Sequence, residues 1–155
     1  MSTAELRVAR AALQMQEDVI SFVRRVAQGR CDLARDEQRR RTDGTPASGM
    51  SVVDIASVFG QEHGGGSLRP PRETNISADH QFVVELERLC ESIGFGELRT
   101  LDDASLESVV RQLSVFETSR SAERQALFTK IDRFTTELVK RYKDGEANVD
   151  SLLAD

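Results

Sequence analysis

Glu17, Ser21, Arg24, Gln28 and Asp32 follow one another at steps of four, three, four and four residues, and Glu117, Ser121, Arg124, Phe128 and Asp132 repeat those steps near the other end of the chain. At about 100° per residue, either set falls within an arc of about 80° on a helix and forms a narrow polar ridge about 22 Å long. These residue types can meet a nucleotide. Arginine grips a phosphate bidentately or stacks on a base, serine donates to a phosphate oxygen, and an ionised carboxylate accepts two donors from a guanine edge. Carboxylates repel phosphate, which assigns Asp32 and Asp132 to base edges. A second arrangement uses the same residues. Arg24 pairs with Glu117 or Asp132 and Arg124 with Glu17 or Asp32, so that the ridges satisfy each other and set register alone. A solvated charged face constrains only the sign of charge, yet four of the five residue types recur in order. That recurrence favours a ligand.

The elements that position the ridges follow from hydrophobic spacing. Leu6, Ala9, Leu13, Ile20, Val23 and Ala27 recur at helical steps, and between Thr3 and Arg41 only Gly29 interrupts good helix formers, which predicts a first motif helix over residues 1–42. Gly29 costs about 1 kcal/mol relative to alanine and is read either as a close approach of ligand or backbone or as a tolerated surface glycine. Leu106, Val109, Leu113, Phe116, Leu127, Ile131, Phe134 and Leu138 form the stripe of a second motif helix over residues 101–145, which Asp144-Gly145 closes; residues 146–155 are a tail. Residues 43–76, with Pro46, Gly64-Gly65-Gly66 and Pro70-Pro71, read as a flexible linker carrying at most one helical turn around Val52 to Phe59. Ser77-Ala78-Asp79 supplies an N-cap for a short helix over residues 77–95 that Gly94 and Gly96 terminate.

Neither long stripe is stable in water alone, so the expected fold is all-α. The two long helices form an antiparallel coiled coil, and the shorter helix packs on it or on a partner. Antiparallel pairing relates the two ridges by an approximate two-fold axis, and a ligand with its own two-fold symmetry fits that best.

Composition narrows the function. A formal net charge of −5 argues against general affinity for nucleic acid or acidic membranes. The N-terminal Met1-Ser2-Thr3-Ala4-Glu5 opens no long apolar run, so neither a secretion signal nor a spanning helix is expected and the protein is placed in the cytoplasm. Cys31 and Cys90 lack metal-type spacing and read as buried, reduced thiols. His63 sits in a glycine loop and His80 at a helix start, with no credible nucleophile or metal cluster nearby, so a hydrolase is disfavoured and the protein is read as no enzyme.

The pattern Glu17-Ser21-Arg24-Gln28-Asp32, together with Ser21-Phe22-Val23-Arg24-Arg25 and Gln28-Gly29-Arg30-Cys31-Asp32, resembles the signature of the RsiG family of cyclic di-GMP-dependent anti-sigma factors of actinobacteria. The second copy, with Glu137-Leu138-Val139 and Arg141-Tyr142-Lys143 behind it, resembles that family's second motif helix. The resemblance implies an antiparallel coiled coil holding a pair of cyclic di-GMP molecules, with no further cofactor. It also implies sequestration of a sporulation- or flagellar-type sigma factor while the second messenger is high. The site residues it implies are Glu17, Ser21, Arg24, Gln28 and Asp32 with Glu117, Ser121, Arg124 and Asp132. Phe128 departs from the pattern, which has glutamine there: a ring can stack or pack but cannot replace an amide's donor and acceptor. The alternative is a coiled-coil adaptor with no nucleotide ligand.

Overall fold

A computed structural model describes residues 1–44 and 76–145. Within them lie three α-helices and one 3₁₀ turn: α1 (Thr3–Thr42), α2 (Gln81–Ser92), the turn Phe95–Glu97 and α3 (Asp103–Lys143). Both long helices start on strong caps. Ser2 Oγ accepts from the Glu5 N–H while the Glu5 carboxylate accepts from the Ser2 N–H, and Asp102 accepts from the Ser105 N–H at 2.7 Å. Both end on basic turns, Arg39 to Arg41 and Lys140, Arg141 and Lys143, which suit the negative end of the helix dipole. Gly44 and Gly145 follow with φ of 63° and 77°, the left-handed backbone that closes a helix and that glycine adopts without penalty.

α1 and α3 run antiparallel along nearly their whole length. Arg7 meets Tyr142, Arg10 donates to Thr135 at 3.0 Å, Cys31 lies 3.4 Å from Ser114, and Arg41 pairs with Asp103 at 2.8 Å. The expected seam forms: Leu6, Ile20, Val23 and Ala27 of α1 are buried, as are Leu106, Val109, Leu113, Leu127, Ile131 and Leu138 of α3. Ala9, Leu13, Phe116 and Phe134, expected in the same stripes, are only half-buried. For Ala9, Leu13 and Phe134 the reason is α2, which covers one end of the pair and leaves theirs bare, whereas Phe116 sits at the rim of the covered end, packed against its buried cluster. Leu86 and Cys90 of α2 join Val23, Ala27, Cys31, Ala34, Leu106, Val109 and Leu113 in that cluster, and burying a leucine contributes about 2 kcal/mol.

The short helix departs from its expected boundaries. It spans Gln81–Ser92 rather than residues 77–95, and its cap is His80, whose Nδ1 accepts from the Phe82 N–H at 3.2 Å. Ser77 is taken up instead by a turn, where its hydroxyl accepts from the Asp79 N–H at 3.3 Å. Gly94, with φ of 69°, ends the helix as expected, while Gly96 lies within the 3₁₀ turn. Cys31 and Cys90 are buried and unbridged. The linker with its turn around Val52 to Phe59, and the tail over residues 146–155, lie outside the described residues.

Candidate ligand-binding site

The two ridges meet at the middle of the helix pair. Corresponding positions differ by 100 residues in sequence, so the antiparallel pair has an approximate two-fold axis between the motif copies. Glu17 accepts from Arg124 Nε at 2.8 Å, and Glu117 accepts from Arg24 Nη1 at 3.1 Å. In both copies the serine one turn along donates back to the glutamate: Ser21 to Glu17, and Ser121 to Glu117 at 2.9 Å. The result is two Glu–Ser–Arg constellations, each assembled from both helices. Glu17 and Ser21 are buried with relative exposures of 6% and 8%, so the hydrogen bonds to the first carboxylate offset the cost of taking it out of water.

The copies differ in how each arginine is held. Arg124 directs Nε at both Glu17 and Ser21, the latter at 2.7 Å, and its guanidinium carbon stands 4.5 Å from the centre of the Phe128 ring. That ring is half-buried, and the charge rests on its electron-rich face. Arg24 instead directs Nη1 at Glu117 and at the Gln28 side-chain oxygen, 3.3 Å away. Its Nε is buried, and among the described residues it has no hydrogen-bond partner. The carboxylates therefore orient the guanidinium groups and leave donors on each unspent.

The outer residues of the ridges do not join the central cluster. Asp32 pairs with Arg35 of its own helix at 3.1 Å, and Asp132 is exposed with no partner among the described residues. Of the acids available to each arginine, the glutamates take the contacts and the aspartates do not. At about 1.5 Å rise per residue, Asp32 and Asp132 lie about 17 Å to either side of the two-fold axis along the pair. Gly29 is buried within α1.

Two contributors were missed in the sequence. Gln14 donates to Glu17 at 3.0 Å, giving the buried carboxylate a third donor. Arg35 joins Asp32 to Ser114 of α3, the second contact at 3.0 Å. Each stands three residues outside the motif on the same helical face, and that spacing is the signal that could have found them. Among the described residues no group of histidine, cysteine, aspartate and glutamate is arranged to hold a metal ion, and no helix is long and apolar enough to cross a membrane.

Residues 1–58 match the model of the RsiG-like family, a stretch that contains the whole of the first motif helix. The second motif helix lies beyond that match, and its likeness to the first rests on the repeated residues and on the two-fold contacts described above. No curated protein matches the chain.

Proposed function

We propose that this RsiG-like protein is a cytoplasmic, non-enzymatic anti-sigma factor whose paired ridges bind cyclic di-GMP. In the liganded state it sequesters a sporulation- or flagellar-type sigma factor and so inhibits transcription. The single observation that carries the ligand half is the pair of Glu–Ser–Arg constellations, which hold Arg24 by Nη1 and Arg124 by Nε and leave outer guanidinium nitrogens over. Had the ridges served register alone, each arginine could have been spent on its acid. Arg24 and Arg124 are instead braced by carboxylates at fixed positions, which lowers the entropy lost when they take up phosphates or stack on bases. Gln28 and Asp32, further out, offer an amide and a carboxylate to a base edge, and Asp132 offers the same carboxylate on the other side. Because the two aspartates stand so far apart, two dinucleotides, one on each half-ridge, suit the site better than one on the axis. The partner half of the reading rests on the family match.

The test is calorimetry of the purified protein with cyclic di-GMP. Binding at micromolar affinity or tighter, with two ligands per chain, is expected. Silence under conditions where the protein is helical by circular dichroism sinks the ligand half. A second reading, a coiled-coil adaptor without nucleotide, is favoured by one observation: the ridges already pair with each other through Arg24–Glu117 and Arg124–Glu17. It predicts that calorimetric silence. It also predicts that Arg24→Ala damages stability rather than ligand affinity.

A further inference from the structure

The two-fold relation extends beyond the motif copies to the surfaces beside them. α2 sits against a flank of the helix pair that includes Ala34 and Arg30 of α1 and Val109 and Leu113 of α3. Arg30 is the polar anchor of that seat, pairing with Glu87 at 2.6 Å and reaching the Cys90 sulfur at 3.1 Å. Displaced by 100 residues, the same positions are Phe134, Lys130, Ala9 and Leu13, and these line an open groove of about 530 Å³ together with Ala12 and Arg133. No described element covers it. Phe134 in place of Ala34 narrows the α3 side, while Ala9 and Ala12 in place of Val109 and Gln112 widen the α1 side, so the seat shifts toward α1. Val8 and Met15 continue the apolar surface outward along α1, with exposures of 71% and 69%.

We propose that this groove seats an amphipathic helix from a partner protein, with apolar residues one turn apart and an acidic residue beside them, as α2 carries Leu86, Glu87 and Cys90. The proposal rests on the preceding reading only in taking the occupant from another protein. Charge specifies the occupant. Lys130 stands where Arg30 holds Glu87, and neither Lys130 nor Arg133 meets a carboxylate among the described residues, so an acid on the incoming helix has two cations waiting. The apolar lining needs cover for the same reason that α2 covers its counterpart. At about 100° per residue, Ala9 and Ala12 lie on the other side of the seam from the motif ridge, so groove and nucleotide site can be filled together.

The probe is a labelled peptide carrying this chain's own residues 79–94, titrated by fluorescence anisotropy into the full-length protein. Saturable binding is expected, weakened at least tenfold by Ala12→Glu or Lys130→Glu, with the Lys130→Glu loss recovered by a peptide bearing Glu87→Lys. Circular dichroism checks that both variants fold, and their cyclic di-GMP affinity, measured in parallel, is expected to stay as in wild type. The proposal is overturned if the peptide does not bind, or if both variants bind it as wild type does. It is also overturned if binding appears only when residues 45–75 are replaced by a glycine–serine linker, since the chain itself then fills the groove. A wild-type dimer by light scattering that Ala12→Glu dissociates assigns the groove to a second copy, again against a partner protein. Peptide binding without nucleotide binding leaves the groove standing and sinks the ligand reading. The reverse result does the opposite.

Discussion

One half of the molecule pairs the later part of α1 with the early part of α3 beneath α2; the other pairs the early part of α1 with the later part of α3 and stands uncovered. Offset by 100 residues, their sequences match at the motif and at several positions around it, with Leu6 matched to Leu106, Leu13 to Leu113 and Glu37 to Glu137. Their environments do not. In the covered half, small residues at Ala27, Cys31 and Ala34 let α2 come close, and Leu113 is fully buried. In the bare half, Leu127, Ile131 and Phe134 stand at the matching places and take up part of the missing layer, and Leu13 is left half-buried. A repeated motif thus persists across two halves whose packing has diverged. The polar ridge and the apolar seam answer to different demands.

Truncation of the matched leucines separates the halves most. Leu113→Ala is expected to lower unfolding stability by about 3 to 4 kcal/mol, because the cavity opens in a packed cluster. Leu13→Ala, on the edge of a groove, is expected to cost about 1 kcal/mol, since water already reaches that face. Urea titrations followed by circular dichroism measure both. Equal losses would show that the bare half is as tightly packed as the covered one.

Truncating the matched arginines is expected to show the halves behaving alike. Arg24→Ala and Arg124→Ala should each weaken cyclic di-GMP binding by about 1.5 to 3 kcal/mol, the range for charge-assisted contacts, with helicity near wild type. Asp32→Ala belongs with them if the carboxylate leaves Arg35 for a base edge. An unfolded variant, or a folded one with unchanged affinity, counts against the site.

The acidic pair at the ends of the long helices yields a smaller contrast. Glu37 is buried between Arg40 and Arg41, with contacts of 2.6 and 2.8 Å, and those hydrogen bonds outweigh burial and hold its carboxyl down at about 2. Glu137 accepts from Arg141 at 2.8 Å, which also lowers its pKa. A carboxyl depressed on folding contributes stability that is complete above its unfolded pKa, near 4.5 for Glu37, and is lost as pH falls through about 2. Glu37→Gln should therefore cost about 1 kcal/mol at neutral pH once solvent screening is allowed for, and the gap from wild type should close between pH 4.5 and 2. Glu137→Gln should cost less. A gap independent of pH would mean that the ion pairs do not carry the effect.

Much of this architecture was legible in residue spacing, because a stripe at helical period in a long uninterrupted segment has few other uses. The closing Asp144-Gly145 marked the end of the second long helix for the same local reason that forms it, whereas the Ser2–Glu5 box that starts the first was seen only in the structure. What spacing could not decide was register. Arg24 with Glu117 and Arg124 with Glu17 satisfy the two-fold relation, but so do Arg24 with Asp132 and Arg124 with Asp32, in a pairing displaced by about four helical turns. Contacts far from the motif choose between them, among them Cys31 against Ser114 and Arg41 against Asp103. The cap of α2 was misread because Ser77 has a turn of its own to hold, a competition between local hydrogen bonds that residue type alone does not reveal. The asymmetric cover was hidden too, since Leu13 and Leu113 look the same until α2 is placed over one of them.

Phe128→Gln tests the finest difference between the halves, because it gives the second motif copy the amide that the first has at Gln28. The ring now supports Arg124 from below, a contact contributing about 0.5 to 1 kcal/mol where partly exposed, so a stability loss of about that size is expected. Ligand affinity should change by less than about threefold, or tighten, because Arg124 remains braced by Glu17 and Ser21 through Nε and gains an amide oxygen to orient its outer nitrogens, as Gln28 orients Arg24. If binding instead falls tenfold or more with stability preserved, the ring itself meets the nucleotide. The second half-site would then recognise a base by stacking where the first uses an amide, and the two-fold relation would hold for the backbone but not for the chemistry of recognition.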